Sequence, residues 1–212
     1  HSSHNRFTMF LSSASQTNLL SCVGCGIISV VKGGYCMKLI IETYRLLLRE
    51  LTIGDFEDLH QILSNPTSMK YYPSPFTREK SMRWIKWNLE NYRTYGFGLW
   101  AVILKEGNVF LGDCGITMQS IDGKLKPEIG YHINRAYTGK GYATEAAKAC
   151  RNYAFDVLNL AEVYSYMKHT NIASQRVAEK NGMRLIAEIP DEMNDITSVY
   201  AITADEYVAL KA

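Results

Sequence analysis

Several kinds of feature are missing from this chain, and each absence narrows what it is built to do. No stretch approaches the ~20 consecutive apolar residues of a membrane-spanning helix, and no charged segment followed by an unbroken apolar core marks a secretory leader. Neither membrane insertion nor secretion is expected. The formal charge is only +2 over 212 residues, with 47% hydrophobic and 21% charged residues. Such a balance gives no electrostatic basis for nucleic-acid binding and describes an ordinary soluble domain. The five cysteines (Cys22, Cys25, Cys36, Cys114, Cys150) are odd in number and lack paired spacing, so free thiols in a reducing cytoplasm are expected. Cys22-Val-Gly-Cys25 has no second pair and no neighbouring histidines to complete a zinc or redox site. Low-complexity linkers and internal repeats are absent from the main part of the chain.

What is present points to one domain of comfortable size. Residues 1–36 are Ser-rich, nearly free of acids, and carry an apolar patch from Ile27 to Val31. They read as an extension, and residues 37–212 as the domain proper. Fourteen tyrosines and three tryptophans suit core and rim positions better than a stacking platform for bases.

Alternation over Glu42–Leu51 predicts a first strand. Thr52-x-x-Asp55 begins a helix with a capping-box pattern, its apolar positions being Phe56, Leu59, Ile62 and Leu63, and Asn65-Pro66 ends it. After a loop at Met69–Pro73, Thr77 caps a second helix with a stripe of Met82, Ile85, Leu89 and Tyr92, closed by Gly96. Strands are predicted at Gly98–Leu104, Val109–Met118 and Glu128–Asn134. In the last of these, period two puts Glu128, Gly130, His132 and Asn134 on one face. A helix from Gly141 to Leu158 has a small-residue inner side (Ala143, Ala146, Ala147, Cys150, Ala154). A strand over Ala161–His169, a helix over Asn171–Asn181 stopped by Gly182, and strands at Arg184–Ile189 and Ser198–Ile202 complete the chain.

The most informative stretch is Ala136-Tyr-Thr-Gly-Lys-Gly-Tyr-Ala-Thr-Glu145. Two glycines one residue apart let the backbone bend toward a ligand, and the helix behind them directs free N–H groups and its positive end at the same spot. A P-loop is excluded by spacing: Asn134 stands where the first glycine would be required, and Gly141 rather than a hydroxyl follows Lys140. Upstream lies Pro127-Glu-Ile-Gly-Tyr-His-Ile-Asn134, and downstream Asn171-Ile-Ala-Ser174 leading to Glu179-Lys-Asn-Gly-Met183. In this order the motifs resemble the acetyl-CoA-binding half of the GNAT N-acetyltransferases, in particular the branch with the ribosomal-protein N-terminal (RimJ/RimL-type) enzymes. The resemblance covers about Met37 to Ala212. It implies an α/β (α+β) fold: a mixed, mostly antiparallel sheet of about seven strands with helices on both faces.

By that resemblance the glycine turn (Thr138, Gly139, Lys140, Gly141, Tyr142, Ala143) holds the CoA pyrophosphate. Tyr131 and Ile133 align the pantetheine arm, and Asn171 and Ser174 flank the thiol. One departure is that Ala136 occupies the family's Gln/Arg position, with Arg135 one residue early. Lys140 either adds charge at the pyrophosphate or faces solvent. The implied reaction is direct transfer from acetyl-CoA, as cosubstrate, to a primary amine, without a metal. The acceptor is a protein or peptide N-terminus; a small amine (polyamine, amino acid or antibiotic) or a CoA sensor without turnover are the alternatives. A monomer or homodimer is expected.

Glu128 is the expected base, its rival reading being a solvated strand-end carboxylate. Ser174 either donates to the sulfur or only contacts CoA. The tyrosine that many relatives carry one turn beyond that serine is here Ala178. Asp113 reads as a structural acceptor, and His132 and His169 as isolated structural histidines, since no Ser–His–Asp order supports nucleophilic catalysis.

Overall fold

A computed structural model describes residues 18–21, 28–32, 35–121, 123–191 and 195–212, with side chains from residue 38 onward apart from that of Asp191. Cys22 and Cys25 lie outside the described residues. Ten strands form one sheet: β1 (Asn18–Ser21), β2 (Ile28–Lys32), β3 (Tyr35–Glu42), β4 (Leu46–Glu50), β5 (Leu99–Leu104), β6 (Val109–Ile121), β7 (Lys124–Ile133), β8 (Glu162–Lys168), β9 (Arg184–Asp191) and β10 (Asp195–Thr203). Their spatial order is β1-β2-β3-β4-β5-β6-β7-β8-β10-β9. All neighbours are antiparallel except β7 and β8. The helices are α1 (Phe56–Leu63), α2 (Arg78–Tyr95), α3 (Tyr142–Asp156), α4 (Ile172–Lys180) and α5 (Ala204–Ala209).

The seven expected strands correspond to β4 through β10. The first differs in its start: instead of running unbroken from Glu42, the chain turns at 43–45, where the Thr43 N–H donates to Leu46 O at 2.9 Å. That tight turn makes β3 and β4 a hairpin and leaves Tyr44 93% exposed. The β6–β7 hairpin is longer than expected, its ladder running out to the Ile121–Lys124 pair. α5 was not expected, although Thr203 and Glu206 form a complete capping box at its start.

Period two sorts the core into two layers. In β4 and β5, Leu46, Leu48, Trp100, Val102 and Leu104 face the cluster that includes Ala146, Ala147, Cys150 and Ala154 of α3. Leu47, Ala101 and Ile103 face the opposite cluster, with Leu59, Ile62, Leu63 and Ile85 of α1 and α2. The small inner side of α3 lets that helix lie close to the sheet, where Cys150 Sγ and Cys114 Sγ, both buried, are 3.6 Å apart. A buried ion pair, Arg49 Nη2 to Asp55 Oδ1 at 2.6 Å, fixes the exit of β4 into α1. No helix among the described residues is long and apolar enough to cross a membrane.

Candidate active site

The interruption in the sheet is where the site lies. β7 and β8 pair at one position only, Glu128 with Tyr164, and just past it the Ser165 hydroxyl donates to Ile129 O at 2.8 Å. Beyond that point the facing edge of β7 has no ladder partner, and a cavity of about 620 Å³ opens between Ile129–Ile133 and Ser165–Lys168. Main-chain groups on such an edge suit an extended ligand that adds to it like a strand.

At one end of the cavity is the glycine turn. Gly139 and Gly141 have φ of +78° and +84°, the left-handed region that favours glycine. Gly141 is also the N-cap of α3, so no side chain caps that helix and its first amides point toward the turn. The turn is braced from the β3–β4 turn at 43–45. Arg45 donates through Nη1 to Lys140 O (3.0 Å) and through Nε to Glu145 Oε2 (2.6 Å), while Thr43 Oγ1 donates to Glu145 Oε1 (2.6 Å). The Arg45 guanidinium also lies 4.4 Å over the Tyr142 ring. Burial opposes ionisation of Glu145, but the bonds from Thr43 and Arg45 outweigh it and hold its pKa below the usual range.

Of the residues expected from sequence, Glu128, Tyr131, Ile133, Thr138, Gly139, Gly141, Tyr142, Ala143, Asn171 and Ser174 all line this one cavity. Lys140 does not; its ammonium lies 5.2 Å over the Tyr137 ring. Arg135 does reach the wall, whereas Ala136 does not, so a guanidinium is available despite the shifted register. Arg176 and Lys180 of α4 join it. Asn171 is committed to the fold, accepting from the Ser174 N–H at 3.3 Å as cap of α4. Tyr131 ties β7 to α4 by donating to Ser174 O at 3.4 Å. Ala178 is buried and brings no hydroxyl.

The other end is built on the β6–β7 ladder. Directly opposed are Thr117 and Glu128, then Gly115 and Gly130, then Asp113 and His132. Partners directly across an antiparallel pair share a face, so two polar pairs flank a floor of bare backbone. The Glu128 carboxylate leans over that floor: a Cβ added at Gly130 would stand 3.0 Å from Oε2. Glu128 accepts from Thr117 Oγ1 at 3.3 Å. Burial raises its pKa, and the nearby Asp113 charge adds to this; against the opposing effects of Thr117 and His132 it is pushed up to about 7.

Asp113 is fully buried and accepts from three donors: the His132 N–H (3.0 Å), His132 Nδ1 (2.8 Å) and Trp84 Nε1 (3.0 Å). His132 Nε2 in turn meets the Tyr72 hydroxyl at 2.7 Å. Burial works against the imidazolium, but the charges of Asp113 and Glu128 outweigh it and raise the His132 pKa. As expected, Asp113 is a hydrogen-bond acceptor within the fold. His132, in contrast to an isolated histidine, sits on the cavity wall between Tyr72 and Trp84. Tyr72, Trp84 and this pairing were not singled out from sequence. The short link between the two strands is the signal that would have found the pair, because counting outward from the Ile121–Lys124 pair sets Asp113 opposite His132.

Among the described residues no group of three or more His, Cys, Asp or Glu is placed to hold a metal ion. A phosphate-bearing, extended cosubstrate fits this cavity on three grounds: the positive-φ glycines at an uncapped helix start, the cations of Arg135, Arg176 and Lys180, and the open edge of β7.

Residues 45–184 match the model of the acetyltransferase (GNAT) domain. The chain is 38% identical over 147 residues to the uncharacterized protein YkkB of Bacillus subtilis, covering 69% of this chain and 86% of that one. A GNAT-family acetyltransferase structure from Bacillus anthracis is 32% identical, with a TM-score of 0.67 over 78% of this chain and 98% of that one. Two structures at 18% identity share the fold. One is RimL, a ribosomal L7/L12 α-N-protein acetyltransferase (TM-score 0.69, 82% and 99% coverage). The other is spermidine N-acetyltransferase from Vibrio cholerae in complex with CoA and spermine (0.63, 78% and 99%).

Proposed function

Given that this chain belongs to the GNAT family of acetyltransferases, we propose that it acetylates the free N-terminal amine of a peptide or protein. The observation that carries this reading is Glu128, a cavity-wall carboxylate whose pKa is pushed up to about 7. An α-ammonium group, with a pKa of about 7.7–8.0, is close enough for such a base to deprotonate; a lysine-type amine at about 10.4 is much farther away. Charge favours the same acceptor. Among the described residues on the wall Glu128 is the one acid, while Lys70, Arg135, Lys168, Arg176 and Lys180 are cationic. A polyamine, with several ammonium groups, would find one carboxylate partner there, whereas a peptide brings a single terminal charge.

The roles follow from position. Acetyl-CoA supplies the activated acetyl group. Amides of the Thr138–Ala143 turn and the Arg135, Arg176 and Lys180 side chains would hold its phosphates, and the open β7 edge at Tyr131–Ile133 would align the arm. Glu128, over Gly130, takes a proton from the ammonium and leaves a neutral nucleophile. Ser174, on the wall at the start of α4, would contact the arm from the side opposite β7.

An acceptor panel tests the proposal, with thiol release from acetyl-CoA measured for N-terminal peptides, spermidine and free amino acids. Peptides are expected to turn over with a rate that rises through about pH 7. Turnover confined to spermidine or amino acids would remove the N-terminus reading. Acetyl-CoA binding with no acceptor consumed would make the protein a sensor.

A further inference from the structure

The line Asp113–His132–Tyr72 runs from the buried interior to the cavity and is used neither by the glycine turn nor by Glu128. Holding the loop between α1 and α2 in place does not require it. That loop is fixed by Met69 and Phe76, both buried, and by backbone bonds from Met69 to Asn65 O (3.0 Å) and from Phe76 to Leu63 O (2.8 Å). Tyr72 also packs edge-on against Phe76, with ring centroids 5.8 Å apart. The loop thus has anchors besides the hydroxyl, and the hydroxyl has an oriented partner in His132. Asp113 accepts a hydrogen bond from His132 Nδ1–H and fixes the ring, which leaves Nε2 facing Tyr72.

We propose that Tyr72 is a catalytic hydroxyl that protonates the departing sulfur during acetyl transfer, with His132 and Asp113 as positioning residues behind it. This rests on the acetyl-transfer reading above. Glu128 and His132 lie four residues apart on one face of β7, about 13 Å between Cα atoms, and both side chains flank the glycine floor. Glu128 thus serves the nitrogen from one side and Tyr72 the sulfur from the other. As the C–N bond forms and the C–S bond breaks, the sulfur takes the Tyr72 proton and Tyr72 takes the Nε2 proton of the imidazolium. His132 is left neutral, still donating from Nδ1 to Asp113, and regains a proton from solvent. The nitrogen loses two protons, one to solvent and one to Glu128, which then passes it to solvent; with one proton returned to His132, one net proton is released per turnover.

The groups facing this line are Asp113 of β6, Glu128 of β7, Tyr166 of β8 and the uncharged indole of Trp84 of α2. Although Tyr72 as a whole is 37% exposed, loss of water around its hydroxyl, then the charges of Glu128 and Asp113, raise the phenol pKa above its usual value, so it stays protonated at neutral pH. The raised pKa of His132 favours the imidazolium that donates to Tyr72.

Tyr72→Phe keeps the ring and removes the hydroxyl. With a peptide acceptor that the wild type uses, kcat is expected to fall about 10²–10³-fold, with the KM for acetyl-CoA unchanged and the alkaline limb of the pH profile lost. His132→Gln is expected to be slower than wild type, and the double variant no slower than Tyr72→Phe alone, because the residues act in one chain. Independently of turnover, ¹⁵N NMR titration of the imidazole should show a displaced His132 pKa in Tyr72→Phe. Wild-type kcat in Tyr72→Phe, a change confined to the KM of the acceptor, additive losses in the double variant, or an unmoved His132 titration would each overturn the proposal. Should Tyr72→Phe fail to fold, His132→Gln carries the test, and a wild-type alkaline limb there overturns it. If the wild type turns over no amine at all, acetyl transfer itself is wrong and this step falls with it.

Discussion

One end of the cavity, beneath α3 and α4, is made chiefly of backbone; the other, beneath α1 and α2, is made of side chains. The first depends on residues close in sequence: Gly139 and Gly141 at positive φ, the uncapped start of α3 and the exposed edge of β7. The second draws Tyr72 from a loop, Trp84 from α2, Asp113 and Thr117 from β6, and Glu128 and His132 from β7. Backbone binding needs shape and tolerates side-chain variation, so one cosubstrate site can be kept while the acceptor changes. Side-chain chemistry needs pKa values set by burial and neighbours. The two ends should therefore fail differently when altered, the first in affinity and the second in rate.

The largest expected effect is at the chemical end. Glu128→Gln should lower kcat about 10²–10⁴-fold at neutral pH with CoA affinity unchanged by calorimetry, and higher pH should restore part of the rate. The same variant should be more stable. A carboxyl whose folded pKa is raised from 4.5 to about 7 contributes stability below pH 4.5 that is lost as pH rises through 7. Removing the charge should thus add about 1–3 kcal/mol at pH 8 in urea unfolding. Full turnover by Glu128→Gln across the pH range would show the carboxylate to be structural.

At the backbone end, Gly141→Asp places a charge and a Cβ at φ +84°, 3.4 Å from Arg45 Nη2. CoA affinity should drop about 100-fold, equivalent to roughly 2.7 kcal/mol. Gly141→Asn, which tolerates this conformation without adding charge, should lose less. Equal affinity in Gly141→Asp and wild type would move the phosphate site elsewhere. The smallest effect is expected for Arg45→Ala, which leaves the glycines but removes their brace. CoA should bind about 3–10-fold more weakly, roughly 1 kcal/mol, with kcat at saturation intact. A large fall in kcat there would erase the distinction between the two ends.

The same contrast governs what was legible in the sequence. Gly139, Gly141 and the helix behind them announce themselves locally, and β4 through β10 follow from apolar runs, alternation and turn residues. Ser174, Asn171 and Tyr131 were readable through a motif. The Arg45–Glu145 brace was not, because it joins residues 100 apart that no local pattern links. Tyr72 was hidden for a different reason: a tyrosine in a loop has no periodicity, and only the packing of α1 and α2 brings it to His132. The pairing of Asp113 with His132 lay within reach through the hairpin register, but His132 read alone looks like any strand histidine. The turn at 43–45 was missed because Glu42–Leu51 alternates without a glycine or proline to mark the bend.

The single Glu128–Tyr164 pairing between β7 and β8 has a consequence for the lifetime of the protein. The sheet is continuous in order, but its ladder across this seam is one residue pair, supplemented by the Ser165–Ile129 bond and the Lys126–Glu162 ion pair, so the seam, though backed by the shared core of Ile129, Val163 and Ile202, is where the ladder opens most easily. A ligand laid along the seam acts as a missing strand and stabilises the closed form in proportion to the logarithm of its concentration over Kd. Resistance to proteolysis is then expected to rise with acetyl-CoA concentration, which limited digestion with and without the cosubstrate checks.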